Sequence, residues 1–326
     1  MKRLSLILSL LLATATFLPV TAMAKERLAF SGGPEGGTFQ YFSNGIATRL
    51  SKNMGDVEVS NMASAGSVEN LRRVDSGDAD FGISYSGDLF LARNGKLPKD
   101  EKKYVNVQSL SYLYGAPAHL VVLADSGINK VSDLAGKKVG VGGAGSGAAA
   151  SAQRYFETLG LWTKMEPTFI GYNEAVAAMG DKLLDAVWVF AGFPNSSVIQ
   201  AAASNKIKLL DTVEAGKAGG FFDVYPFYAE LTIPAGTYSG VDTPTKTFQD
   251  SALWVAGKHV KTDMVFNALK DIFSEEGLAY MVKVKKTAKE MSVADGLKGI
   301  VTPIHEGAEK FWAGKGLTVT AAQKAR

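Results

Sequence analysis

The chain contains no cysteine and only three histidines among its 326 residues. Missing thiols exclude disulfide frameworks, Cys-ligated zinc, iron–sulfur clusters and thiol nucleophiles. They also exclude a lipoprotein anchor, which is built on a cysteine at the processing site. His119, His259 and His305 are scattered, and His305-Glu306-Gly307-Ala308-Glu309 lacks the second histidine of a metalloprotease helix. No serine has glycine at both i−2 and i+2, so the nucleophile elbow of α/β-hydrolases is absent. Asp78-Ala79-Asp80 lacks the remaining oxygen ligands of a calcium loop and reads as a turn. Charge of either sign is not in excess, which removes the electrostatic case for nucleic acid or anionic lipid.

Long hydrophobic runs are missing too, apart from one at the start. Lys2 and Arg3 precede an apolar stretch from Leu4 to Val20, and Ala22-Met23-Ala24 is a small-x-small cleavage site. This is the pattern of a secretory signal peptide, 1–24, with cleavage expected after Ala24 and export to a bacterial periplasm. Of the 35 Lys and Arg residues, Lys2 and Arg3 leave with the leader, so 33 face 32 Asp and Glu and the net charge falls from +3 to +1. No later stretch approaches the ~18 consecutive apolar residues of a membrane span.

What is present is a repeating unit of short apolar run, glycine-rich turn and amphipathic segment. Arg27–Phe30, Val57–Met62 and Asp80–Tyr85 read as strands, with helices over Thr38–Ser51 and over Ser67–Asp75, the latter opened by a serine N-cap. A second series follows: Lys138–Val141, Phe169–Gly171, Asp185–Phe190 and Ile207–Leu210 as strands, with a helix over Ala148–Leu159. Strands alternating with helices at this spacing predict parallel α/β sheets. The apolar, proline-containing stretches Tyr112–Leu123 and Phe227–Tyr238 predict stiff crossings between two lobes, with a cleft between them.

The strongest local chemistry lies where glycine loops run into helices. At Gly36-Gly37-Thr38 and Gly145-Ser146-Gly147 the missing Cβ atoms let a ligand approach the backbone. Behind each loop a helix start offers unpaired N–H groups and the positive end of a dipole. Ser67 after Gly66, and Asn195-Ser196-Ser197, are further such starts. Any single loop is equally read as glycine shaping a βα turn; several at one sheet edge favour an anion in the cleft. Gly145-Ser146-Gly147 also fits a relaxed dinucleotide fingerprint, but the following strand ends in Gly171-Tyr172-Asn173 without the acidic residue that holds a ribose. Tyr85 and Phe190 each close a predicted strand, where the chain turns towards the cleft. Arg72, Arg73, Arg93 and Arg154 are expected on solvated faces, because adjacent helix positions diverge and no local pattern converges them.

Taken together, these segments are familiar. Ser64-Ala65-Gly66-Ser67-Val68-Glu69-Asn70-Leu71, followed by Asp75-Ser76-Gly77-Asp78-Ala79-Asp80-Phe81-Gly82, resembles the TAXI solute-binding proteins of tripartite ATP-independent periplasmic (TRAP) transporters. Gly33 to Phe39 is similar to that family's first loop, and Asp185 to Asn195 to its mid-chain segment. Asp133-Leu134-Ala135-Gly136-Lys137-Lys138-Val139 resembles a run shared by type II periplasmic binding proteins. Pro234 to Tyr238 and His305 to Lys310 match in kind.

The resemblance implies a two-lobed type II α/β fold: lobe I over 25–118 and 233–326, lobe II over 119–232. It implies a monomeric clamp without catalytic residue, metal or cofactor. Such a clamp closes on a small carboxylate, glutamate-like or 2-oxoglutarate-like, and docks on TRAP permease subunits. An exported sensor of the same fold, feeding a signalling partner, is the alternative. The ligand shell carried over is Gly37, Thr38 and Phe39 from the first loop, Ser67 and Asn70 from the second, and Tyr85. Gly145, Ser146, Gly147, Phe190 and Gly192 face them. Ala148 and Ala149 stand where many type II proteins place Thr-Arg, so a carboxylate would rest on backbone N–H groups, hydroxyls or an arginine elsewhere.

Overall fold

A computed structural model describes residues 25–98 and 100–324. The expected leader lies outside the described residues. Among the latter, no helix is long and apolar enough to cross a membrane.

The chain opens with β1 (Glu26–Ser31), α1 (Thr38–Asn53), β2 (Val57–Met62), α2 (Ser67–Ser76), β3 (Phe81–Tyr85) and α3 (Ser86–Arg93). Strand β4 (Val107–Leu123) leads to β5 (Lys138–Gly140), α4 (Gly147–Thr158), β6 (Glu166–Thr168), α5 (Tyr172–Gly180), β7 (Ala186–Phe190), α6 (Ser196–Ser204) and β8 (Ile207–Leu209). Two short helices, α7 (Val213–Ala218) and α8 (Phe221–Val224), precede β9 (Ala229–Ile233) and β10 (Thr245–Gly257). Helices α9 (Thr262–Ile272), α10 (Glu275–Val284) and α11 (Glu306–Gly314) complete the fold.

The strands run in the order β2-β1-β3-β10-β4-β7-β5-β6, with β8 beside β4 and β9 beside β10. Two of them are shared. Strand β4 is 17 residues long, roughly 55 Å at ~3.3 Å per residue. Its first part pairs with β10, and its last part pairs with β7 and β8. Strand β10 pairs with β9 over Thr245–Gln249 and with β3 over Ala252–Ala256. Each half of the sheet therefore carries its own parallel strands, β2-β1-β3 in one and β7-β5-β6 in the other. This is the expected two-lobed type II α/β class.

Two local expectations change. Spacing predicts a strand at Phe169–Gly171, but pairing with β5 begins earlier, at Glu166, and Gly171 becomes the N-cap of α5. Phe169 is largely exposed, so its apolar character does not report a buried strand. Phe227–Tyr238 is likewise not the strand that crosses back. Strand β9 lies within it and pairs only with one end of β10, and β10 itself passes between the halves.

Burial explains why the elements form. Phe42, Ile46 and Leu50 recur every four residues on α1 and are completely buried, as are Phe30, Phe81, Ile83 and Trp254 on the adjoining strands. Each such side chain contributes roughly 1.5–3 kcal/mol on leaving water. In the other half, Trp188 stacks on Tyr155 at 5.3 Å between centroids and donates its indole N–H to Ser151 Oγ at 3.0 Å.

Candidate functional site

Because β1, β2 and β3 are parallel and adjacent, their C-terminal ends emerge along one edge, and three segments gather there: 32–37, 63–66 and Tyr85. From the other half, the loop after β5 and the segment after β7 face them. Helices α1, α2 and α4 begin at this junction. Gly37 and Gly66 cap α1 and α2 with no side-chain hydrogen bond, which leaves first-turn N–H groups without a side-chain cap. Gly66 adopts φ +120°, a conformation open to glycine and little else. Ser146 caps α4, its Oγ accepting from Ala149 N at 2.9 Å. Ser67, expected as an N-cap, is the first residue of its helix instead. Its hydroxyl lies 2.9 Å from Ser84 Oγ and accepts from Tyr85 N at 3.0 Å, locking α2 to β3.

Between these elements lies a narrow, partly open space with room for about one water molecule. Gly37, Thr38, Phe39, Ser67, Tyr85, Ser146, Gly147 and Phe190 line it, as the sequence pattern anticipates. Pro34, Ala65, Gly66, Ala148, Tyr172 and Ala191 complete the wall. Most of these neighbour expected residues along the chain. Tyr172 was missed because the strand was placed over the residues just before it; its only local signal is the glycine that opens α5.

Three expected residues stand apart. Asn70 is completely buried and spends its whole amide on the scaffold. Its Nδ2 donates to Gly32 O and Ile83 O, each at 2.7 Å, while Oδ1 accepts from Ser31 Oγ and Ser64 Oγ, each at 2.7 Å. It ties the loops after β1 and β2 to strand β3 and has no hydrogen-bonding capacity left for a ligand. Gly145 turns the loop at φ +78°, and its carbonyl accepts from Glu69 N at 3.1 Å. Gly192 meets Tyr114 and Thr287, and its carbonyl accepts from Thr38 Oγ1 at 3.4 Å.

The cleft is closed by direct bonds between its two sides. Tyr85 Oη donates across the cleft to Phe190 O at 2.6 Å, a carbonyl that also accepts, from within its own half, the Tyr172 Oη hydrogen at 3.0 Å. Asn195 Nδ2 donates to Gly36 O at 3.2 Å. The Tyr85 ring sits 4.8 Å from that of Phe39 and 4.9 Å from that of Phe190, the latter edge-on. Burial pushes the Tyr85 hydroxyl well above the usual phenol range, so it acts here as a neutral donor.

Among the described residues, no charged side chain lines this space. Arg72 and Arg73 sit partly exposed in ion pairs with Asp100 and Glu69. Arg154, expected on a solvated face, is instead buried, because Asp88 across the cleft neutralises it. The histidines are structural. His119 Nδ1 faces the carbonyls of Pro117 and Val189 at 3.1 and 3.3 Å, and its Nε2 faces Tyr238 Oη at 2.9 Å. Burial lowers its pKa to about 4. With Nδ1 as donor, Nε2 accepts from Tyr238, whose oxygen accepts from Asn195 N at 2.9 Å, and the chain of bonds fixes the start of α6. His305 caps α11 through Gly307 N, and His259 pairs with Asp80 at the surface.

The arrangement suits a small anion held by backbone N–H groups and hydroxyls between two facing walls. Comparison with known proteins agrees on the architecture. The profile of the NMT1-like family matches residues 30–316. MatC from Rhodopseudomonas palustris, solved with bound malate, is similar at a TM-score of 0.52 and 15% identity, over 83% of this chain and 90% of that one. A protein from Bordetella bronchiseptica is similar at a TM-score of 0.50 and 14% identity, over 90% of this chain and 99% of that one. At such identities the shared property is the fold.

Proposed function

The chain belongs to the NMT1-like family, and from that premise we propose that it is an exported solute-binding protein that captures a small carboxylate by closing its two lobes. One observation carries this reading. The starts of α1, α2 and α4 converge on a single, partly open cleft whose wall, among the described residues, carries no acidic side chain. Helix N-termini favour negative charge by roughly 0.3–1 kcal/mol each, and more where partly buried. With no arginine among the described residues of the wall, the N–H groups and the hydroxyl of Ser146 are the anion's partners, because Thr38 already donates to Gly192 O and Ser67 is engaged with Ser84 and Tyr85 N. Strands β4 and β10, which belong to both halves, are the hinge. A solute that touches both sides stabilises the closed form by its differential contacts, and one that touches a single side does not close it.

The ligand class is a glutamate-like amino acid or a 2-oxoglutarate-like dicarboxylate, and the receiver is a TRAP-type membrane permease. The working protein is a periplasmic monomer, matured by cleavage after Ala24, with lobes divided near 118 and 232, and it catalyses no reaction. The similarity to the TAXI proteins in Ser64–Leu71 and Asp75–Gly82 supports the choice of transporter.

A thermal-shift screen of the chain from Lys25, against amino acids, keto acids and dicarboxylates including malate, tests the reading. A ligand that binds only the folded form raises the melting temperature by mass action. A rise with one acid and none with its amide is expected. Stabilisation by neutral or cationic solutes alone would refute the anion assignment.

A further inference from the structure

Behind the cleft wall, Asp88 on α3 and Arg154 on α4 join the two halves without lining the space between them. Arg154 Nη2 donates to Asp88 Oδ1 at 2.8 Å, and its Nη2 and Nε donate to Tyr228 Oη at 2.7 and 2.9 Å. The two side chains are 3% and 0% exposed. Asp88 Oδ2 and Arg154 Nη1 have no hydrogen-bond partner among the described residues. Asp250, on the shared strand β10, sits beside them and accepts from Gly87 N at 3.1 Å. The pair flanks the start of α4, where a Cβ on Gly147 would stand 2.7 Å from Asp88 Oδ2.

An ion pair this dry is a weak source of fold stability, because desolvation costs about as much as the attraction returns. It is a strong selector of geometry. The placement of α4 against α3 leaves neither charge buried alone, and a displacement of either helix would break the pair. We propose that Asp88 and Arg154 are positioning residues that set the closed register of the lobes, and through it the affinity for solute. The proposal rests on the binding reading above, since it assigns these residues to the closure and not to ligand contact. It follows that removing Arg154 burdens the closed form, which must bury Asp88 and its neighbour Asp250 without a cation, and spares the open one, whereas removing Asp88 leaves Asp250 to face Arg154.

The absence of cysteine makes the test direct. Tyr41→Cys and Ser196→Cys place labels on opposite sides of the cleft mouth, where Ser196 Oγ now lies 3.4 Å from Tyr41 Oη. Distances between spin labels at these sites report the closed fraction, without solute and with L-glutamate, 2-oxoglutarate or malate. Arg154→Met is expected to deplete the closed population and weaken binding by roughly a hundredfold, and Asp88→Asn to do both to a smaller extent because Asp250 still faces Arg154. The double variant, which leaves neither Asp88 nor Arg154 to be buried alone, should recover most of both even if a single variant folds poorly. Unchanged closure in the single variants overturns the proposal. So does a folded double variant that fails to recover, which would mark a direct ligand contact or simple packing. If the parent chain binds none of the acids, the function assigned above fails on its own, and the closed fraction without solute still decides the role of the pair. A parent chain with no closed population under any condition overturns the positioning role as well.

Discussion

Replacing Gly147 by alanine adds one methyl group where the start of α4 faces Tyr85 of the other half. Its Cβ would stand 2.5 and 2.6 Å from Tyr85 Cδ2 and Cε2, against the ~3.5–4.0 Å of ordinary carbon contact. Tyr85 has little freedom to yield. Its hydroxyl is tied to Phe190 O at 2.6 Å, and its ring is held between Phe39 and Phe190. Overpacking of this kind costs about 1–3 kcal/mol, which corresponds to a roughly 5- to 150-fold loss of affinity for a ligand that requires closure. Within its own lobe the change is harmless. Gly147 is the first residue of α4 and does not need positive φ, so alanine should leave that helix as stable or slightly more so. Affinity and stability are therefore expected to part company. Isothermal titration with the acid found by thermal shift should show weaker binding, while the melting temperature without ligand holds or rises. Unchanged affinity would mean that the bound state does not bring α4 onto Tyr85. A fall in melting temperature with intact affinity would mean that Gly147 serves the lobe and not its closure.

Ser146→Asp keeps an N-cap for α4 but sets a negative charge beside the bound carboxylate, so titration should show binding at least about tenfold weaker with no loss of folded structure by circular dichroism. His305→Ala removes the cap on α11, far from the cleft, and should lower the melting temperature through a loss of about 1 kcal/mol while the affinity stays as it was. Burial, reinforced by the charge on Asp88, raises the pKa of Asp250 from its ordinary value of 3.8 to about 8. A carboxyl raised in the folded state contributes stability that is full below about pH 4 and is lost progressively until pH passes about 8. Asp250→Asn should remove that component, so denaturant melts of the two proteins diverge in favour of the variant as pH rises from 5 to 8 and run parallel above about 8.

Much of this was legible in the chain because the physics is local. Thr38–Asn53 and Val57–Met62 follow the periods of helix and half-buried strand, and glycine before a helix start marks loops that approach a ligand. Eight cleft residues were found on that basis and by family resemblance. Asn70 was misplaced because an amide that saturates itself on four scaffold groups carries the same letter as one that holds a ligand. The strand at Phe169–Gly171 was misplaced because a short edge strand need not bury its apolar side chains.

By itself, then, the sequence determined the alternation of strand and helix, the loops from which helix starts point outward, and the exclusion of thiol chemistry. These depend on spacing along the backbone and on residue types that are present or absent. Only the tertiary structure decided that β10 joins the lobes, that Arg154 lies buried against Asp88, and that Tyr85 closes onto Phe190. Such facts depend on which surfaces meet. Arg154 and Asp88 are 66 residues apart, Tyr85 and Phe190 are 105 apart, and no local propensity acts over that distance. Whether a charge ends in water or in a buried pair is settled by the group that stands opposite, and the fold alone chooses it.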